Sequence, residues 1–212
     1  MPRVIDLSQQ LSSRSLSYPG TSVVYEVDDI DIGDPDARVS RFSSFDIHGG
    51  THMDAPLHFD PSGASIDAME LRLWPLRLVQ VGTPWVETAS VPADCKGAAI
   101  LFYTGWQEKA GTPAYYVGFP HISAAAAALL VERGVGLVGI DSPSVDGIEA
   151  NPTYSTHKLL CGAGIPIVEG LVNLDLLVAL DEDVRFAAFP LALEALEASP
   201  VRAVALLRHD EQ

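Results

Sequence analysis

The feature that most constrains the fold is a strand-helix-strand pattern in the middle of the chain. An apolar run at 98–103 is followed by an alanine-rich stretch at 123–133 and by a second apolar run at 135–140. Ser123 is a favourable helix N-cap, and Gly134 is a favourable helix end. The order predicts a β-α-β unit with two parallel strands, so the residues that follow each strand should meet at one sheet edge.

Strand-like runs bounded by glycine, proline or aspartate recur along the rest of the chain. They occupy 4–7, 23–27, 39–47, 76–81, 165–169, 184–189 and 201–207. Weaker helical patterns occur at 66–71, 156–160 and 171–180. The chain has 212 residues, is 48% hydrophobic and contains no linker-like or repeated segment, so we expect one domain spanning residues 1–212.

The charge balance excludes several partners. Asp and Glu total 28 against 13 Lys and Arg, and the resulting net charge of -15 repels nucleic acid. No apolar run approaches the roughly 20 residues that span a bilayer, and the first residues lack a signal-peptide pattern. Cys95 and Cys161 are too few for a disulfide scaffold. We therefore expect a cytoplasmic protein with neither nucleic-acid nor membrane partners.

A histidine cluster carries the strongest local signal for chemistry. Three of the six histidines, His48, His52 and His58, lie within eleven residues that also contain Asp54. Imidazole and carboxylate are ligands that zinc and manganese accept. A lone histidine is usually an ordinary surface or hydrogen-bonded residue, but three beside an aspartate indicate a divalent-metal site.

The backbone of this cluster is expected to be extended or kinked. Glycine disfavours helix, and Gly49 and Gly50 stand between the first two histidines. In a regular strand His48, His52 and Asp54 would share one face, but the two histidines would stand roughly 13 Å apart. The glycines are expected to supply the kink that closes this gap.

His58 follows a turn at Pro56, so it need not obey the alternation of a strand. We expect it to stand beside the metal as a general acid/base. The metal would lower the pKa of a bound water towards about 7, and the resulting hydroxide would attack an amide or related acyl carbonyl. His58 would take the proton and return it to the leaving nitrogen.

The segment from His48 to His58 resembles the signature H-x-G-T-H-x-D-x-P-x-H of the cyclase family. This family includes bacterial kynurenine formamidases, which hydrolyse N-formyl-L-kynurenine. The resemblance continues in Tyr103-Thr-Gly-Trp, in Gly-Ile-Asp-Ser-Pro-Ser-Val-Asp at 139–146, in the later residues described next, in Phe-Pro-Leu at 189–191 and in Ser-Pro-Val-Arg at 199–202. It covers nearly the whole chain.

The resemblance implies five ligands for two divalent ions, with zinc expected and manganese as the alternative: His48, His52, Asp54, His157 and Glu169. The first three would bind one ion, while Asp54 and Glu169 would bridge to a second ion that His157 also binds. From the residues alone, Glu169 is an odd charge after the apolar run 165–168 and needs a partner, either a metal or an arginine. His157 alone would more often be an ordinary loop histidine.

The resemblance also implies the fold, the assembly and the catalytic group. The fold would be an α/β domain of the swivelling β/β/α type, in which helices pack on a mixed sheet. The protein would form a homodimer or homotetramer, act on a small-molecule substrate and use His58 as its catalytic acid/base.

One position departs from the formamidases. They carry a Trp before a Pro-Gly pair near the N-terminus that lines the substrate pocket, whereas this chain has Tyr18. Tyr18 is thus a candidate substrate-binding residue, and an ordinary loop packing role is the alternative. The exact substrate stays open.

Three other functions compete with the formamidase. Isatin hydrolases share the histidine signature, but by resemblance they have Gln at the position of Glu169. Glu169 therefore favours the formamidase. A non-catalytic metal-binding protein on the same fold would not need His58. A cupin-type oxygenase needs an H-x-H start, which this chain lacks.

Two further residues have open roles. Asp141 follows the second strand of the β-α-β unit and either supports the site or is structural. Cys161 lies four residues after His157 and is either near the site or a buried inert thiol.

Overall fold

The computed structural model of the chain describes residues 3–12, 14–18, 22–34, 36–147, 153–180 and 183–207. Strands dominate, and two α-helices occur within these ranges, α1 (Ala124–Glu132) and α2 (Ser155–Gly162). Single 3-10 turns connect other elements: Pro56–His58, Ile66–Ala68, Thr88–Ser90, Trp106–Lys109, Pro113–Tyr116 and Leu174–Leu177.

Eight strands form the main sheet. They are β1 (Arg3–Asp6), β6 (His52–Asp54), β7 (Trp74–Gln80), β9 (Ala99–Tyr103), β11 (Leu137–Ile140), β12 (Ile167–Glu169), β13 (Val184–Pro190) and β14 (Ala198–Leu207). The other strands form separate two-stranded pairs: β2 (Leu16–Ser17) with β3 (Ser22–Val23), β4 (Tyr25–Ile30) with β5 (Val39–Phe45), and β8 (Trp85–Val86) with β10 (His121–Ile122).

The main sheet is mixed and closes on itself. Its order is β1-β14-β13-β7-β9-β11-β12-β6, and β6 also pairs with β14. The strands β7, β9, β11 and β12 run parallel to one another, whereas β6, β13 and β14 pair antiparallel with their neighbours. This confirms the predicted α/β fold with helices packed on a mixed sheet.

The alternation of side chains along the central strands divides the core into two clusters. Ala99 and Leu101 pack into one cluster, together with residues from β1, β13 and β14. Ile100 and Phe102, which point the other way, pack into the second cluster with Leu130 of α1. The sheet is therefore buried on both faces along β9.

The predicted β-α-β unit is confirmed. The strands β9 and β11 are parallel, and the Ser123 side chain accepts a hydrogen bond from the Ala126 amide at the start of α1. Gly134 has a φ of 70°, the left-handed conformation expected after a helix. At the shared sheet edge, Thr104 donates to Asp141 from its amide (3.0 Å) and its hydroxyl (2.6 Å). Asp141 thus ties two strand ends together and is structural.

The remaining strand predictions are confirmed more often than the weaker helix predictions. Each predicted strand overlaps an observed one, but of the three weaker helical patterns only 156–160 is an α-helix. The stretch 171–180 contains a single 3-10 turn because Leu171 is bridged to Ser8 and Asn173 takes a left-handed conformation (φ 58°). No helix in the described ranges is long and apolar enough to cross a membrane.

Candidate metal centre

Strand β6 lies between β12 and β14 and presents alternate residues to the site. Met53 points into the core, whereas His52 and Asp54 lie on the opposite face. The antiparallel register places His52 directly across from Glu169 on β12. All three polar residues are buried, so sheet pairing alone brings an imidazole and two carboxylates together away from water.

His48 reaches the same site from a turn before β6. Gly50 has a φ of 70°, a conformation that costs other residues strain, and the Asp46 carboxylate accepts a hydrogen bond from the His48 amide (2.9 Å). The turn brings His48 Nδ1 to 3.0 Å from Asp54 Oδ1. The expected kink at the glycines is therefore confirmed.

His157 enters from the first turn of α2, and Asp146 fixes it. The Asp146 carboxylate accepts hydrogen bonds from the amides of Thr156 (3.0 Å) and His157 (2.9 Å). It thereby caps the helix, because the residue at the N-cap position, Tyr154, makes no capping hydrogen bond with its side chain. The same carboxylate lies 2.7 Å from His157 Nδ1. The Nε2 atom of His157 is thus turned towards the two buried carboxylates.

The deep part of the site is an arrangement of imidazole nitrogens facing carboxylate oxygens. His52 Nε2 lies 3.5 Å from both Asp54 Oδ1 and Glu169 Oε2. His157 Nε2 lies 3.5 Å from Asp54 Oδ2 and 3.3 Å from Glu169 Oε1. Both Asp54 oxygens are buried and receive no hydrogen bond from the described residues. A buried carboxylate in this state needs another partner.

These groups shift one another's pKa values. Burial disfavours the charged imidazolium of His52, but Asp54 and Glu169 outweigh that effect and raise its pKa to about 9. The pKa of His157 is also raised well above its ordinary value, because Asp146, Asp54 and Glu169 outweigh burial. Burial favours neutral Asp54, but the histidines around it hold its pKa well below the usual range. The carboxylates therefore demand positive charge at the centre of the site.

A divalent cation fits this demand. In a tetrahedral zinc site with bond lengths of about 2.0–2.1 Å, neighbouring ligand atoms lie about 3.3–3.4 Å apart, close to the nitrogen-oxygen distances above. The second ring nitrogens of two histidines are already held, by Gly50 O for His52 (3.1 Å) and by Asp146 for His157. That is the outer support that metal-bound histidines usually have.

The side chains form two overlapping candidate ligand groups, His48 with Asp54 and His58, and His52 with Asp54 and Glu169. Within each group the ligand atoms lie within 4.8 Å of one another. Asp54 belongs to both groups, whereas His52 groups with Glu169 instead of His48, and His157 belongs to neither. His58 belongs to the first group, which is the less buried of the two and is called the outer group, and it can act there either as a ligand or as a proton-transfer group.

A cavity of about 300 Å³ opens over the site. It is lined by Tyr18, Asp46, His48, His52, Asp54, His58, Phe59, Pro143, Ser144, Tyr154, His157 and Glu169. The Phe59 ring lies 4.7 Å from the His157 ring and 5.3 Å from the Tyr154 ring, measured between centroids. The structure thus places Tyr18 in the same cavity as the five expected ligands and His58; Pro19 and Gly20 lie outside the described residues.

Sequence reasoning missed four contributors to this site: Asp146, Glu197, Phe59 and Tyr154. Asp146 ends the motif at 139–146, which is the one signal that could have identified it. Glu197 lies 3.4 Å from His48 Nε2 and comes from a loop far along the chain. Cys161 is buried close by, and burial raises the pKa of its thiol to about 11, which favours an inert thiol.

The closed mixed sheet and the buried histidine-carboxylate cluster together define an α/β protein with a candidate divalent-metal centre. The Cyclase family model matches residues 5–147. The chain is 34% identical over 209 residues to the kynurenine formamidase of Bacillus mycoides. The alignment covers 94% of this chain and 95% of that protein. Its identity to the kynurenine formamidase of Bacillus cereus is 33% with the same coverage. The chain belongs to the Cyclase family.

Solved structures share the fold. Isatin hydrolase A from Labrenzia aggregata superposes with a TM-score of 0.81 at 23% identity, covering 98% of this chain and 94% of that chain. Isatin hydrolase A from Ralstonia solanacearum gives a TM-score of 0.79 at 25% identity, covering 98% and 92%. The closed sheet described above is therefore a fold that this chain shares with both of these enzymes.

Proposed function

We propose that the chain hydrolyses the formamide of an N-formylated aryl amine, with N-formyl-L-kynurenine as the substrate to test first. It is a metal-dependent hydrolase of a carbon-nitrogen bond other than a peptide bond. The observation that carries this proposal is Asp54, a buried carboxylate whose oxygens receive no hydrogen bond and face three imidazoles beside a cavity. Relatives about one-third identical over 94% of the chain are named kynurenine formamidases.

The proposed metal ligands are His48, His52, Asp54, His157 and Glu169. Two overlapping groups sharing Asp54 support two ions, and nitrogen with oxygen donors suits zinc, with manganese as the alternative. When bound, a divalent cation supplies a Lewis acid that polarises an acyl oxygen and makes water easier to deprotonate.

His58 is proposed as the acid/base. Burial lowers its pKa from the ordinary value of 6.5, against the opposing effect of Asp54, so the ring is neutral near pH 7 and can accept a proton. Its ring centroid lies 4.5 Å from that of His48 and 5.6 Å from that of His157, at the mouth of the buried site. From there one ring nitrogen can take a proton from water and deliver it to the departing amine.

The cavity suits an aryl substrate. Phe59 and Tyr154 supply aromatic faces next to His157, and Tyr18 supplies a ring and a hydroxyl. Burial raises the pKa of the Tyr18 phenol, so its hydroxyl stays protonated and can donate a hydrogen bond. We propose that Tyr18 contacts the substrate beyond its reacting carbonyl.

The chain is proposed to act as one cytoplasmic domain that assembles as a homodimer or homotetramer. The single closed sheet joins β1 to β14, which supports one domain. The β4 and β5 hairpin supports assembly, because its Phe42 is 60% exposed and an isolated hairpin is marginally stable. Light scattering on the purified protein tests this, and a monomer would contradict it.

The function is tested by incubating purified protein with N-formyl-L-kynurenine and, separately, with isatin, and by measuring bound metals by elemental analysis. We expect metal in the protein, turnover of the formamide, and loss of turnover after chelation with recovery on adding zinc or manganese. Turnover of isatin alone would favour the cyclic amide alternative. Metal without turnover of either would favour the non-catalytic binder, and absence of metal would overturn the proposal.

A further inference from the structure

The three histidines proposed as ligands do not present the same ring atom. His52 and His157 turn Nε2 towards the buried carboxylates, and their Nδ1 atoms are held by a backbone carbonyl and by Asp146. His48 is reversed, because its Nδ1 lies 3.0 Å from Asp54 Oδ1 and its Nε2 points away from the centre. A hydrogen-bond partner at Nε2 is needed to hold the His48 ring in this reversed orientation.

Glu197 stands where that support is needed. Its Oε1 atom lies 3.4 Å from His48 Nε2, at the opposite end of the ring from Asp54. The Glu197 carbonyl accepts a hydrogen bond from the Ala55 amide (2.8 Å), and the next residue, Ala198, is paired with Asp54 in the β14–β6 ladder. The pairing that positions Asp54 therefore also positions Glu197.

We propose that Glu197 is a positioning residue for the metal centre: it accepts the Nε2–H of His48 and so presents Nδ1 of that ring to the outer ion, the one of the two proposed ions that His48 would bind. This inference rests on the metal site of the proposed function. A neutral imidazole carries one N–H, so a carboxylate that accepts it from Nε2 leaves the lone pair on Nδ1 free to coordinate. His48 would differ from His52 and His157 in its coordinating atom.

The expected effect follows from the exposure of Glu197. Loss of an outer partner of a metal-bound histidine typically weakens metal affinity about 10–100-fold. The Glu197 side chain is 38% exposed and that of His48 25%, so water can partly replace the carboxylate. We therefore expect about tenfold weaker binding of the outer ion, at the lower end of that range.

The test compares four proteins, wild type, Glu197→Ala, Glu197→Gln and Glu194→Ala. Glu194 is an exposed glutamate in the same loop and is the matched control. Zinc is titrated into each metal-free protein against a chromophoric chelator. We expect Glu194→Ala to match wild type, Glu197→Ala to bind the weaker zinc about tenfold less tightly with the tighter zinc unchanged, and Glu197→Gln to fall between because its amide oxygen still accepts.

A second readout reports the ring atom directly. Long-range proton-nitrogen NMR of the zinc-loaded wild type should show His48 protonated at Nε2 and metal-bound at Nδ1, the reverse of His52 and His157. Coordination of His48 through Nε2, or equal zinc affinity in Glu197→Ala and Glu194→Ala, would overturn the role of Glu197. If the wild type bound no zinc, the proposed function would fail with it.

Discussion

The two halves of the candidate metal centre differ in how firmly the protein holds them. The side chains of His52, His157 and Glu169 are no more than 5% exposed, and each is fixed by a strand register or a helix N-terminus. The half around His48 and His58 comes from a turn and a 3-10 helix that border the cavity. The carboxylate beside the His48 ring, Glu197, is partly exposed. The deep half is preorganised, whereas the outer half is open to solvent and substrate.

This difference indicates how cation binding and proton transfer are distributed between the two halves. Buried carboxylates need a positive partner, so the deep half is built to hold a cation whether or not substrate is present. The outer half contains the residue with the lowered histidine pKa and faces the space where a substrate must enter. We infer that the deep half holds one ion tightly, and that the outer half combines metal binding by His48 with proton transfer by His58.

Removing the carboxylate shared by both halves should have the largest effect. Asp54→Asn takes away the group that faces all three candidate ligand histidines, so we expect loss of both ions and of activity. Elemental analysis and formamidase assays on the purified variant measure this. Asp94→Asn, at an exposed carboxylate paired with Arg77, is the control and should keep both. An Asp54→Asn protein with full metal content would contradict the shared role.

His58→Gln should separate the outer half from the deep half. We expect metal content close to that of wild type and a fall in kcat of about 10²–10⁴-fold, the usual contribution of a general acid/base. The measurement pairs kcat with elemental analysis on the same sample. If metal content fell with kcat, His58 would be a ligand of the group it shares with His48 and Asp54.

Asp146→Asn tests whether the deep half depends on its outer support. The amide side chain can still cap α2, but it is a weaker acceptor for the His157 ring. We expect about 10–100-fold weaker zinc binding, more than for Glu197→Ala, together with activity that returns at excess zinc. An effect smaller than that of Glu197→Ala would break the proposed contrast between the halves.

The stability of the deep half should depend on pH more strongly without metal than with it. In the metal-free protein the pKa of His52 is raised to about 9 and that of His157 is also raised. Their charged forms contribute stability that is full below about pH 6.5 and is lost as the pH rises, through about 9 for His52 and through the raised pKa of His157. Zinc replaces those protons, so its stabilising effect should grow over the same range.

Melting temperatures between pH 6.5 and 9.5, recorded with a chelator and with saturating zinc, measure this effect. We expect Tm to fall with pH in the chelator and the increment due to zinc to increase. Parallel curves under the two conditions would show that the metal does not replace protons on these histidines.

The smallest expected effect is at the edge of the cavity. Tyr18→Phe removes one hydroxyl, so KM for N-formyl-L-kynurenine should rise about two- to tenfold with kcat little changed. Tyr18→Leu, which also removes the ring, should raise KM further. Unchanged KM in both variants would assign Tyr18 to packing against Phe119, whose ring it contacts edge-on.

Much of the fold follows from local patterns. The β-α-β unit, helix α1 and the strand positions depend on apolar periodicity and on caps such as Ser123 and Gly134, which are properties of neighbouring residues. The helical pattern at 171–180 yields only the 3-10 turn Leu174–Leu177, because the bridge between Leu171 and Ser8 competes with a helix there, and that bridge joins distant parts of the chain.

The sequence by itself determined that a candidate metal-ligand set lies between His48 and His58, since chemistry and spacing are both local there. His157 and Glu169 could be added through the family resemblance alone. Tertiary structure decided the rest: the β6–β12 register sets Glu169 opposite His52, α2 docks His157 onto Asp146, and the β14–β6 ladder delivers Glu197. The physical reason is that these partners meet through strand pairing and helix packing, which no short stretch of sequence encodes.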